Sequence, residues 1–234
     1  MLNTHRLLCR TARSTSRGGF TLVELLVVIG IIAILAGVAL GPITNGIKQA
    51  KHNSSLQTGR QIGQMCFSYA TDNTINGNSY PSDTNAAAVA SDLINNNYCT
   101  DPSVFYISGQ SGMALYAMPA AGTAASLATS NCSWSFTVLN PASTTGGITS
   151  SASDLTPLVY FNNGPATGIV TTFTPSSGVG AIGLSAACPF TTDGVAIFYK
   201  GNNAVYLKAV AGSLTAGSFV SANDKDSTAY NVAQ

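Results

Sequence analysis

The run RGGFTLVELLVVIGIIAILAGVAL, Arg17 to Leu40, limits what this chain can fold into more than any other stretch. From Phe20 to Leu40 it has 21 residues. As a helix rising about 1.5 Å per residue, that spans roughly 30 Å, the thickness of a bilayer core. Its one ionisable side chain is Glu24. A carboxylate in hydrocarbon costs several kcal/mol on roughly any scale, so an intramembrane acid is by default a functional residue with a partner. Arg6, Arg10, Arg13 and Arg17 precede the run without an acidic residue. By the positive-inside rule they keep the short N-terminal tail cytoplasmic and direct the remainder outward, a single-pass topology.

A secretory signal also joins a basic segment to an apolar core and ends at a small-x-small site, for which Ala39-Leu40-Gly41 would serve. Three features speak against it. The apolar run is longer than a signal core, it contains Glu24, and a cut after Gly41 would place Pro42 next to the broken bond.

The junction Gly19-Phe20-Thr21-Leu22-Val23-Glu24, followed by LLVVIGIIAIL, resembles the cleavage and methylation segment of type IV pilins and type II secretion pseudopilins. The resemblance implies a leader, residues 1–19, removed by a prepilin peptidase that cuts after Gly19 and N-methylates Phe20. It implies a retained membrane and polymerisation helix over 20–41. Residues 42–234 would form a helical stalk and an extracytoplasmic head. Glu24 would meet the new amino terminus of a neighbouring subunit, a buried ion pair whose main use is register. The implied partners are that peptidase, membrane lipid before assembly, copies of the chain or related pilins, and an inner-membrane assembly platform. The implied location is the inner membrane and then a periplasmic or extracellular filament.

Loss of the leader would change the charge balance. It holds four of the ten Lys+Arg and none of the nine Asp+Glu, so the remainder carries six against nine, a side-chain net charge of −3. Lys200, Lys208 and Lys225 are isolated, which argues against a nucleic-acid groove. Cys9 also lies in the leader, leaving Cys66, Cys99, Cys132 and Cys188. An even set in an exported chain predicts two disulfides, in any of three pairings.

Beyond the membrane run, Ile43, Ile47, Ala50 and Ser54, then Ile62, Met65, Cys66 and Tyr69, recur at three-four spacing, which predicts one helix from about Phe20 to about Asp72. Gly37, Gly41, Pro42 and Gly46 predict local unwinding within it, and Gly37-x-x-x-Gly41 also fits a close-packing motif. The Asn-, Gly- and Pro-rich stretch from Tyr69 to Pro81 ends the helix. Ser82 or Asp83 is the expected cap of a second helix over 84–97, with Val89, Leu93 and Ile94 inward. SWSFTVL, PLVYFNN, TGIVTTFT, GVAIFYK and AVYLKAV read as five strands, the last two a hairpin turning at Gly201-Asn202-Asn203. Gln61-Ile62-Gly63 through Tyr69, Asp72-Asn73 and Tyr80-Pro81 resemble the close of the long helix in pseudopilin-like proteins, and the Gly194–Lys208 hairpin resembles their C-terminal hairpin. The fold class is α+β: a long N-terminal helix packed by its second half on an antiparallel sheet.

Catalytic signals are sparse. His52 is the one histidine beyond the leader, with Lys51 and Asn53 beside it, and reads as a solvated or interface residue. The sequence has no Gly-x-Ser-x-Gly elbow, phosphate loop or His-rich metal motif, so an enzyme is not expected and no cofactor is called for. Asn223, Asp224, Asp226 and Ser227 offer oxygens to calcium, but fewer than an EF-hand supplies, and a solvated turn is the better reading. The reading that competes with a filament subunit is an anchored or secreted binding domain, an adhesin, whose N-terminal segment is only a tether or signal. Glu24 separates the two, since a tether has no use for a buried carboxylate.

Overall fold

The computed structural model describes residues 19–73, 75, 79–139, 147–163, 170, 172–179, 181–215, 217, 219–221 and 223–233. The leader arginines, Cys9 and, within TGIVTTFT, Thr167, Gly168, Ile169 and Thr171 lie outside these residues. The chain divides into two units, one ending at Lys48 and one running from Gln49 to Gln234.

Helix α1, Leu22–Asp72, runs unbroken for 51 residues. The unwinding predicted around Pro42 is absent: the proline sits inside the helix. A proline there removes one backbone donor. Two residues on, the Thr44 hydroxyl donates to the Gly41 carbonyl at 2.8 Å. The glycines of the predicted close-packing pair, Gly37 and Gly41, have no neighbour within 4 Å of a Cβ position.

In the second unit, α1 buries Ser55, Gly59, Ile62, Gly63, Cys66 and Ala70. Their spacing of three, four and seven makes one face. All but Ile62 are small, so the sheet's aromatic rings lie directly on the helix backbone. A Cβ on Gly59 would sit 3.3 Å from the Trp134 ring, and one on Gly63 only 2.0 Å from the Phe198 ring. The inward residue on the first of these turns is Ser55; Ser54, taken from the sequence, faces solvent.

Helix α2 is Ala86–Asn95, with Val89, Leu93 and Ile94 buried. Its cap is Asn85, not Ser82 or Asp83: the Asn85 side chain accepts from the Ala88 N–H at 2.9 Å. At the other end Asn97 adopts φ 63°, and the Tyr98 and Cys99 N–H groups both donate to the Leu93 carbonyl. That left-handed residue closes the helix as glycine commonly does.

The main sheet contains β1 (Trp134–Val138), β2 (Pro157–Phe161), β3 (Thr172–Phe173), β5 (Gly194–Tyr199), β6 (Asn203–Lys208) and β8 (Tyr230–Ala233). A two-stranded sheet pairs β4 (Ile182–Gly183) with β7 (Ser213–Leu214). The main sheet has the order β3-β8-β1-β2-β5-β6, with every pair antiparallel. The predicted hairpin is β5–β6, with Tyr199 opposite Asn203 and Asn202 supplying the left-handed turn residue at φ 61°. Strands β1 and β2 are buried at every position, which requires cover on both faces. Trp134 turns to α1, whereas Tyr160 meets Phe219 at 4.8 Å edge-on on the far side.

Candidate functional site

In the first unit, Gly19, Phe20 and Thr21 precede the helix without regular structure. Thr21 is its cap. The Glu24 N–H donates to Thr21 Oγ1 at 3.2 Å, while the Thr21 N–H and hydroxyl both donate to Glu24 Oε2 at 2.8 Å. This is a capping box, Thr-x-x-Glu, in which threonine and glutamate satisfy each other's amide groups. A carboxylate in the first turn is also favoured by the helix dipole. Among the described residues Oε1 of Glu24 accepts no hydrogen bond. The sequence carried this signal in the Thr21–Glu24 spacing, and its reading placed Glu24 without Thr21.

Between Phe20 and Ile47 no large apolar side chain is less than 48% exposed. Burying a Leu, Ile, Val or Phe contributes roughly 1.5–3 kcal/mol. Over a surface of this kind the total reaches on the order of tens of kcal/mol, so the unit is built to be covered by lipid or protein. The helix is long and apolar enough to cross a membrane.

The second unit contains the remaining candidates. Cys66, Cys99, Cys132 and Cys188 are all buried free thiols, so the two predicted disulfides are absent from this structure. Each sulfur is placed by its own element. The Cys99 thiol donates to the Asp101 carbonyl at 3.2 Å, the Cys132 thiol to the Trp134 carbonyl at 3.4 Å, and Cys66 belongs to the small face of α1. Burial pushes the Cys132 thiol up to about 12 and the Cys188 thiol to about 11. Thiols held protonated in this way are poor nucleophiles and poor metal ligands.

His52 is half-buried and stacks on Tyr206, centroids 3.8 Å apart and planes 18° apart, with the edge of Phe190 at 5.0 Å. It is a packing residue of the helix-sheet contact; the Cys188 thiol, which burial holds protonated, acts electrostatically on its partner Tyr206. Asp224 and Asp226 shape their own loop. The Asp226 N–H donates to Asp224 Oδ1 at 3.0 Å, and the Thr228 N–H to Asp226 Oδ1 at 2.9 Å. The Tyr230 hydroxyl donates to Asp226 Oδ2. Burial would raise the Asp226 pKa, but the hydrogen bonds from Tyr230 and Thr228 outweigh it and hold the carboxyl below its usual value. Among the described residues no three His, Cys, Asp or Glu side chains gather closely enough to hold a metal ion. A groove of about 620 Å³ is lined by Gln61, Gln64, Ser68, Tyr98, Cys99 and Asp101 among others. It combines amides, hydroxyls and the Asp101 carboxylate with one thiol, Cys99, whose pKa burial raises.

The features that stand apart are therefore a glutamate fixed at the start of a helix and an uncovered apolar surface behind it. Residues 14–40 match the family described as the prokaryotic N-terminal methylation motif. No curated protein and no solved structure matches the chain.

Proposed function

We propose that this chain, whose residues 14–40 match the prokaryotic N-terminal methylation motif, is a pilin-like precursor of a structural class. It is a subunit of a type IV pilus-like or type II secretion filament. The observation that carries this reading is the methylation motif on a helix whose large apolar side chains from Leu22 to Ile47 all remain exposed. A prepilin peptidase cuts after Gly19 and methylates the amine of Phe20. The precursor waits in the inner membrane with its arginines on the cytoplasmic side, and an assembly platform then moves the helix from lipid into a filament core of like helices.

Glu24 supplies the register. Its Oε2 is held by Thr21, and its Oε1 is open to the ammonium group created at Phe20 of a neighbouring copy. A subunit docked one step out of place leaves both charges unpaired in an apolar core, at a cost of about 3–5 kcal/mol for breaking a buried pair. N-terminal sequencing and mass analysis of the mature protein test the reading. A methylated Phe20 terminus is expected; a terminus near Pro42 or an uncut Met1 would overturn it. Glu24→Ala should be processed normally and lose filament yield, and wild-type yield from that variant would remove Glu24 from assembly.

A further inference from the structure

The second unit distributes its charge unevenly along α1. At the C-terminal end of the helix, Asp72 accepts the Tyr98 hydroxyl at 3.0 Å, and Tyr98 packs against Tyr69 with centroids 5.5 Å apart. Asp92 acts electrostatically on Tyr69, and Asp83 on Asp92, so three carboxylates share this end. Burial, and then the charge of Asp83, raise the Asp92 pKa. Among the described residues none of the three forms an ion pair; the Lys200–Asp154 pair, 3.0 Å apart, is elsewhere. They are at least partly exposed, with Asp72 fully at the surface.

The opposite end is basic. Lys51 is exposed one residue before His52, whose ring stacks on Tyr206 of β6. Lys208, also exposed, lies two residues beyond Tyr206 and opposite Gly194. Among the described residues the Asp193 carboxylate acts electrostatically on Tyr206 beside this group. From Lys51 to Asp72 the helix is continuous over 21 intervals, or about 32 Å at 1.5 Å per residue.

Copies that leave one membrane with one topology all point the same way. Contacts along such an array are head-to-tail, joining two different surfaces of the same chain. We infer that the acidic end of α1, Asp72 with Asp83 and Asp92, docks on the Lys51–Lys208 end of a second copy of this chain. The inference rests on the filament reading and adds the contact between heads. Opposite charges there favour the parallel, staggered arrangement, and an antiparallel or unstaggered pair would bring like charges together.

Zero-length carbodiimide cross-linking of filaments sheared from cells tests it, with peptide mapping of the products. Lys200–Asp154 is the internal control, since its 3.0 Å separation lies within one chain. A Lys51–Asp72 cross-link is expected, and it must join two chains because one straight helix holds these residues about 32 Å apart. Filaments that yield Lys200–Asp154 alone would overturn the head contact and leave the filament reading intact. Preparations with no filaments would overturn both. Lys51→Glu and Asp72→Lys should each lower filament yield several-fold, and the two together in one chain should restore most of it. No recovery in the double variant, with each protein folded and processed, would also overturn the proposal.

Discussion

The two parts of α1 solve opposite problems with one backbone. Up to Lys48 the helix has large apolar side chains on every side and buries none of them within the chain. From Gln49 onward it has one inward face, made of Ser, Gly, Ile, Gly, Cys and Ala, which a Trp and a Phe ring approach where side chains are missing. Bulk suits a helix whose neighbours arrive later and can adapt to it. Smallness suits one whose neighbours are already fixed by a sheet.

Substitutions sharpen this contrast in order of size. Trp134→Ala removes the ring over Gly59 and should cost about 3–5 kcal/mol of head stability, read by denaturant unfolding of the full chain in detergent. Gly63→Ala should cost about 1–3 kcal/mol in the same measurement, because the added carbon falls into the buried Phe198 ring. Asn85→Ala should cost about 1 kcal/mol by leaving the Ala88 N–H without its cap. Gly30→Ala, with nothing within 4 Å, should have the reverse sign and favour helix by up to about 1 kcal/mol. Equal effects at Gly30 and Gly63 would mean that backbone propensity, not packing, separates the two halves.

Acid supplies a smaller perturbation confined to the head. The Asp226 carboxyl is held below its usual value of 3.8, so it favours the folded state above that pH. Its contribution fades as pH falls through the lower folded value, because protonation removes the charge that Tyr230 and Thr228 stabilise. Asp226→Asn should flatten this part of the stability-pH curve, measured by thermal unfolding between about pH 5 and pH 2. An unchanged curve would mean that these bonds do not depend on the charge.

The sequence was readable where a pattern is long. The end of α1 at Asp72, the buried face of α2 and the β5–β6 hairpin with its Asn turn all follow from periodicity and turn chemistry. Strand β8 did not, because Tyr230–Ala233 is too short to show alternation, yet it lies between β3 and β1 in the sheet. The two-residue strands β4 and β7 were hidden for the same reason. Small residues were counted as helix weakeners, and Gly59 and Gly63 show the other use, close approach of a ring. Cysteine number suggests pairing, whereas in this structure all four thiols are free and buried. At the candidate site, Gly19, Phe20 and Glu24 are legible as a motif, whereas the capping role of Thr21 shows in its hydrogen bonds with Glu24.

The Thr21–Glu24 box also acts as a ruler. By fixing the first helical residue at Leu22, it leaves the peptide bond between Gly19 and Phe20, where cleavage is proposed above, outside the helix. A helix that crept two residues toward the N-terminus would draw that bond into its own ladder and hide it. On the proposed processing, the coil would stop just short of the bond that is cut.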